Sequence, residues 1–369
     1  MSAVCGPEAE AVTRDLGFDC HGVSPVGSIR FPWELAHWSM PLLEALIIGG
    51  AVFALVHALR RRREGDPINL ALWSASLIYL FVIEPPLYFP EWFGLEQQYG
   101  FIFAHNQFTV QFMWDRLPLY IVAFYPVISQ VAYELVRSLG IFRRRGALTG
   151  SVAVAFACQV FYEVFDHLGP QLKWWAWNGD NHIVNHPALA SVPMNSMLLF
   201  ASVSMGAMTY LVVRLTGGPA ADGGPRRGRS LVLRTVMAGV LTPPTMAIAG
   251  IPSSFFGGPD PDTTAQAWIL GIELALLWLA GAWIIFSHLR TPDPGPAEPL
   301  SPFARFYPAV YLGGMAVFWI GALPGYFAAK DGITSDGTPI GSGPYVLACF
   351  LGAGLLLAAL YRRKAPATV

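Results

Sequence analysis

The sequence predicts an all-α polytopic membrane protein: a bundle of about nine transmembrane helices, N-terminus outside and C-terminus cytoplasmic. Three observations lead there. Only 13% of the residues are charged while 54% are hydrophobic, about half the charge of a soluble domain. Mean hydropathy is +0.47, and the apolar residues fall into runs long enough to cross a bilayer. The basic residues gather after every second run.

A hydrocarbon core of about 30 Å takes about 20 apolar residues per helix. By that measure spans are expected near 40–59, 68–88, 117–138, 147–167, 190–213, 231–252, 266–288, 307–328 and 343–361. Arginine clusters follow the odd-numbered spans: Arg60–Arg63, Arg143–Arg145, Arg214 with Arg226, Arg227 and Arg229, Arg290 with Arg305, and Arg362 with Arg363 and Lys364. The other side holds only Arg14, Arg30, Arg116, Lys173 and Lys330. Cytoplasmic loops carry the basic excess, which sets the expected orientation, and an odd number of spans agrees with it.

Residues 1–39 are mixed and polar and read as an extracytoplasmic segment. They lack the basic and apolar regions of a cleaved signal peptide. Two of the four cysteines, Cys5 and Cys20, lie there and would pair in an oxidising compartment; Cys158 and Cys349 sit in apolar runs and read as small buried hydrophobes. The stretch 217–230, rich in Gly, Pro and Arg, reads as a flexible cytoplasmic linker between a five-span bundle (40–216) and a four-span bundle (231–369). A Pro-rich stretch at 291–302 is a second, stiffer connection. The net charge of −1, without a basic stripe, excludes a nucleic-acid partner. The expected partners are the membrane and a lipid.

Acidic residues inside a bilayer are costly and are kept where they face a cavity or a partner. On the predicted topology Glu44, Glu84, Asp115, Glu163, Asp166 and Glu273 all fall in the outer half or at the outer edge. Glu134 alone lies near the inner end, where Arg137 can pair with it at i, i+3. Gln159, Glu163, Asp166 and His167 follow one another at i, i+4, i+7 and i+8, which reads as one polar stripe. With Gln111 and Asp115 it predicts an outward-open polar pocket built mainly by spans two to five. Eight of the twelve tryptophans (Trp33, Trp38, Trp92, Trp114, Trp174, Trp175, Trp177, Trp268) lie on the same side. The stretch 89–115 is too apolar for a free loop and too polar for a span. It is expected to be re-entrant or interfacial, presenting His105 and Asn106 near the pocket.

Three readings of the Glu163/Asp166/His167 group stand open: interhelical hydrogen bonding, acid–base catalysis, and a metal or ion site. The metal reading uses Glu163 and His167 at i, i+4, with His182 and His186 at the same spacing in "HIVNH". It requires that second segment to be helical, which Pro187 disfavours, and it leaves both metal and cofactor unassigned. The acid–base reading rests on the ability of a carboxyl shielded from water to act as a general acid. Glu163 and Asp166 are its first candidates for proton donor and partner. His167, Glu84 and Asp115 would tune or relay, and Asn195 would orient water or a carboxylate. A proton- or ion-coupled transporter is the alternative, suggested by the proline pairs Pro85–Pro86 and Pro243–Pro244 and the carboxylates at an outward pocket.

The run "FDHLGPQLKWWAWN" followed by "SVPMNSMLLF" resembles a pattern in polytopic carotenoid-biosynthesis membrane proteins of the carotenoid-hydratase type. There an acidic residue ends a helix before a Gly/Trp-rich turn, and Pro-x-Asn opens the next helix. The matching positions are Asp166, Trp175, Trp177, Pro193 and Asn195. An insertion, "GDNHIVNHPALA", separates the tryptophans from Pro193, and the related proteins have fewer spans. The resemblance implies a membrane hydratase or cyclase acting on an isoprenoid.

Overall fold

The computed structural model describes residues 5–114, 116–217, 224, 226–258, 260–291 and 299–362, and for Pro32 the backbone alone. Among them are nine helices long and apolar enough to cross a membrane. These are α2 (Met40–Arg63), α3 (Ile68–Tyr88), α5 (Leu119–Ser138), α6 (Ile141–Asp166), a π-helical stretch Ser196–Ser204 continuing into α7 (Met205–Thr216), α8 (Gly228–Ser254), α9 (Thr263–Arg290), α10 (Pro302–Ala328) and α11 (Gly343–Tyr361). Their length and composition fit an integral, multi-pass membrane protein. Each expected span corresponds to one of them. The fifth starts later than expected because residues 188–193 turn back as a hairpin of β6 (Ala188–Leu189) and β7 (Val192–Pro193). Most of both linkers, 218–223 with 225 and 292–298, lies outside the described residues.

Helix ends follow local chemistry. α2 stops after four arginines at Gly65, whose φ of 93° suits a residue without Cβ. Asp262 caps α9 by accepting from Ala265 N at 2.9 Å, and Ser301 caps α10 by accepting from Ala304 N at 3.1 Å. α5 sits at the centre, 89% of its most apolar window buried, whereas α9 is 22% buried and faces outward. α6 packs between α5, α7, α9 and α11. α10 holds α6 through two donors to backbone oxygens, Tyr311 Oη to Phe161 O (3.0 Å) and Trp319 Nε1 to Val164 O (2.8 Å). Such bonds add about 0.6 kcal/mol each in a membrane.

The Arg-rich end closes on one buried network. Glu134 accepts from Asn69 Nδ2 at 2.8 Å and lies 3.3 Å from both Arg137 Nη1 and His57 Nε2, joining α2, α3 and α5. The expected Glu134–Arg137 pair is therefore present, as part of a larger set.

The opposite end carries a roof. The N-terminal segment has α1 (Pro7–Asp15), β1 (Gly27–Ile29) and the Cys5–Cys20 disulfide. The stretch after α3 is not a further span. It forms a 3₁₀ turn (Pro90–Phe93), a single turn α4 (Glu96–Tyr99), β2 (Phe103–His105) and β3 (Val110–Phe112). β3 lies between β1 and β4 (Leu117–Pro118), and β2 pairs antiparallel with β5 (Trp175–Trp177). Both partnered sequences, Phe-Ala-His and Trp-Ala-Trp, alternate large and small. Strand geometry sends successive side chains to opposite faces, and Ala104 packs with Val12 and Leu16 of the N-terminal segment near Ala176.

Glu44 does not face a pocket. Its carboxylate accepts from Phe108 N (2.5 Å) and Thr109 N (2.9 Å), fixing the turn between β2 and β3. Asn106 is likewise a joint: its Oδ1 accepts from Arg30 Nη1 (2.7 Å) and its Nδ2 donates to Leu16 O and Lys173 O. The tryptophans divide by role, Trp38, Trp92 and Trp268 being exposed and Trp174 and Trp175 buried. Replacing Glu44 by Ala leaves two backbone amides without their acceptor, a loss of about 1–3 kcal/mol. Hydrogen exchange across 101–112 is expected to rise in Glu44→Ala and to rise less in Glu44→Gln, while the spans keep their protection. Unchanged exchange in that segment contradicts the assignment.

Candidate functional site

Beneath the roof is a half-open cavity of about 100 Å³, room for several waters or a slender chain segment. Three helices wall it. α3 contributes Glu84, just before Pro85 and Pro86, which cannot donate to the helical ladder. α6 contributes Tyr162, Phe165 and Asp166, and α5 contributes Phe124 and Tyr125. The large residues of the paired strands, Phe103, His105, Trp175 and Trp177, form the ceiling. Pro193, Asn195, Ser196 and Phe200 close the side where the fifth span begins in π-helical form, a geometry that recurs at functional sites.

Trp175 can lie flat over the end of α6 because residue 169 is glycine: a Cβ there would stand 2.0 Å from the indole. Phe165 supports the same ring, centroids 4.7 Å apart.

The carboxyls keep few partners. Asp166 Oδ2 accepts from Ser196 Oγ at 3.2 Å, and Glu84 Oε1 accepts from Tyr125 Oη. No lysine or arginine lines the cavity among the described residues. Among the described residues five polar atoms of the lining have no hydrogen-bond partner: Glu84 Oε2, His105 Nδ1, Trp175 Nε1, Trp177 Nε1 and Asn185 Oδ1. Asn195 is held loosely, Nδ2 donating to Val184 O at 3.5 Å.

The expected stripe on α6 separates into two faces. At about 100° of turn per residue the four residues share an arc of about 100° with Asp166 and His167 at its edges; packing turns Asp166, with Tyr162 at i−4, to the cavity and Gln159, Glu163 and His167 to the other side. Glu163 and His167 therefore do not line the cavity; they face α11. His167 Nδ1 accepts from Ser342 N at 3.2 Å and its Nε2 lies 3.3 Å from Glu163 Oε2. Gln159 Nε2 donates to Tyr345 Oη at 2.9 Å. Gly341 permits this approach, since a Cβ would sit 2.2 Å from His167 O. Of the six candidates, Glu84, Asp166 and Asn195 meet in the cavity, Glu163 and His167 form a separate buried pair, and Asp115 lies outside the described residues.

The "HIVNH" segment is not helical. His182 is exposed in a turn and His186 hydrogen-bonds Gly179 O, their rings 4.8 Å apart. The compact group Cys5, Asp19, Cys20 and His21 has both thiols committed to the disulfide.

Tyr125, Tyr162, Ser196, Asn185 and His105 were not among the six. Tyr162 was findable as the i−4 neighbour of Asp166, and the Phe-Ala-His and Trp-Ala-Trp alternation marks both strands. Tyr125, in the middle of an apolar run, carries no such signal.

Burial holds the His105 imidazole down to about 3; the Arg116 charge adds to this and a hydrogen bond to the Arg116 backbone opposes it. His105 is thus neutral under the roof near pH 7. Once the strands separate it regains an ordinary value near 6.5, so opening takes up a proton at any pH between the two. The closed roof is fully stable above pH 6.5 and loses up to ~1.4 kcal/mol per unit as pH falls below it. Protection of the amides at 102–106 and 174–178, corrected for intrinsic exchange, is expected to fall between pH 7 and pH 5 in the native chain and to stay level in His105→Gln. Equal pH dependence in both chains contradicts this. In comparison with known proteins, no family model, curated protein or solved structure matches this chain.

Proposed function

We propose that the protein is a membrane enzyme that acts on an isoprenoid or related unsaturated lipid by acid–base chemistry, with Asp166 and Glu84 as its proton-carrying groups. The observation that carries this reading is their convergence. Two buried carboxyls from helices far apart in the chain share one aromatic-walled cavity, with hydroxyl partners and, among the described residues, no lysine or arginine in the lining. Such a lining suits an apolar ligand with a few polar functions. All five positions matched in the resemblance to carotenoid-hydratase-type proteins (Asp166, Trp175, Trp177, Pro193 and Asn195) line it as well.

In this reading the Asp166 carboxyl gives its proton to one carbon of a double bond, forming a C–H bond and leaving positive charge on the neighbouring carbon. The faces of Trp175, Trp177, Phe165 and Phe124 stabilise that charge. Water then attacks the cationic carbon and loses a proton to the Glu84 carboxylate, so that alkene and water become an alcohol. Asn195 and Asn185 orient the water. Attack by a second double bond in place of water would close a ring and move the positive charge to a carbon of that bond, whose neighbouring C–H then loses its proton to the Glu84 carboxylate, leaving a cyclic alkene. With the roofed end outside and the arginine-rich end in the cytoplasm, the substrate enters from the outer leaflet of the cell membrane.

Lipid extracts of cells with and without the gene, compared by mass spectrometry, test the proposal. A product is expected with the native chain, reduced about 10²–10⁴-fold in Asp166→Asn and in Glu84→Gln. Glu163→Gln, on the other face of α6, is expected to lower thermal stability while product formation remains. Identical extracts overturn the enzyme reading. Flux driven by a pH gradient in proteoliposomes, abolished by Glu84→Gln, would install the transporter in its place.

A further inference from the structure

A second concavity at the roofed end shares no lining residue with the cavity. It is a polar groove of about 540 Å³ bordered by His37, Gln171, Lys173, Thr334, Asp336 and Thr338, within the size range of ligand sites. Its sides come from the turn after α6, the segment before α2 and the loop joining α10 to α11. Small residues of α10 form its floor, where Gly321 lies beside the exposed ring of Trp38, an aromatic placed as at a membrane–water interface.

The chemistry of the border is two-signed. Lys173 and Asp336 both line the groove and both act electrostatically on His37, yet neither forms an ion pair among the described residues. Gln171 is buried and anchored, its Nε2 donating to Ala322 O at 2.8 Å, while its Oε1 has no partner. His37 Nδ1 accepts from Ser39 N at 3.3 Å, which leaves the proton of the neutral ring on Nε2 as a donor. Burial lowers the His37 pKa and keeps the ring neutral. The groove thus offers a fixed cation, a neutral N–H donor, a buried carbonyl acceptor and a carboxylate.

We propose that this groove binds the zwitterionic ammonium–phosphate headgroup of a phospholipid, with Lys173 and His37 on the phosphate and Asp336 and Gln171 on the ammonium. A headgroup carrying both charges meets both residues at once, whereas a purely anionic one leaves Asp336 opposed. The primary ammonium presents three N–H donors to Asp336 and Gln171; a trimethylated one presents none. The floor beside Trp38 is where the glycerol and acyl chains would leave toward the bilayer.

Native mass spectrometry of the full chain, delipidated in detergent, tests this against phosphatidylethanolamine, phosphatidylcholine and phosphatidylglycerol of equal chain length. Phosphatidylethanolamine is expected to be retained best. Lys173→Asn, chosen because the backbone φ of 55° there suits Asn, is expected to lower its retention about fivefold, or ~1 kcal/mol. It should lower phosphatidylglycerol as well. Asp336→Asn is expected to reduce phosphatidylethanolamine selectively and spare phosphatidylglycerol. Soluble phosphoethanolamine identifies the source: displacement of the lipid supports recognition by the headgroup alone, and retention despite it supports a site that needs the lipid chains. Equal retention of all three lipids by native and variant chains, with melting temperatures unchanged, overturns the proposal.

Discussion

Backbone polar groups shut away from water have to be satisfied within the protein, and the roof is where this chain meets that demand without long helices. Between α4 and α5 the described residues 100–114 and 116–118 are not helical. Their amides are taken up by strand pairing with β1 and β5 and by the Glu44 carboxylate. The cavity exists because of that solution. Pairing sends Phe103, His105, Trp175 and Trp177 downward and the two alanines upward against the N-terminal segment. A segment that began as a problem of unsatisfied amides ends as the ceiling of a site.

The polar residues of α6 show how one helix serves two purposes. Asp166 and Tyr162 look toward α3 and α5, while Gln159, Glu163 and His167 look toward α11. The two sets are adjacent in sequence but packed against different helices. Substitution at one therefore reports on the cavity and substitution at the other on the seam with α11. Backbone bonds from Tyr311 and Trp319 hold the helix between them.

Helix number and extent were legible in the sequence because they depend on run length and the hydrocarbon thickness, which residue composition registers directly. The roof was less so. Its strands are two or three residues long, too short for a periodic signal to stand above the surrounding aromatics, although the large-small-large alternation is visible once the pairing is known. Within the site, Glu84 is legible from its depth, Asp166 from depth and helical phase, and Asn195 from the Pro-x-Asn pattern of the resemblance. Glu163 and His167 were grouped with Asp166 because spacing of i, i+3 and i+4 places residues on neighbouring sectors, and only packing decides which neighbour fills each sector. Tyr125 illustrates the remainder. Nothing in an apolar run distinguishes a tyrosine whose hydroxyl meets a carboxyl from one that reaches the interface.

The strand pairs have a bearing on how the chain threads the bilayer. β1 and β3 bracket α2 and α3, and β2 and β5 bracket α5 and α6. Each pair encloses an even number of crossings, the condition for both partners to emerge on the same face. Sheet pairing thus acts as a parity check on the first four helices: had any one of them stopped short and turned back, its strand would have been delivered to the opposite side, out of reach of its mate.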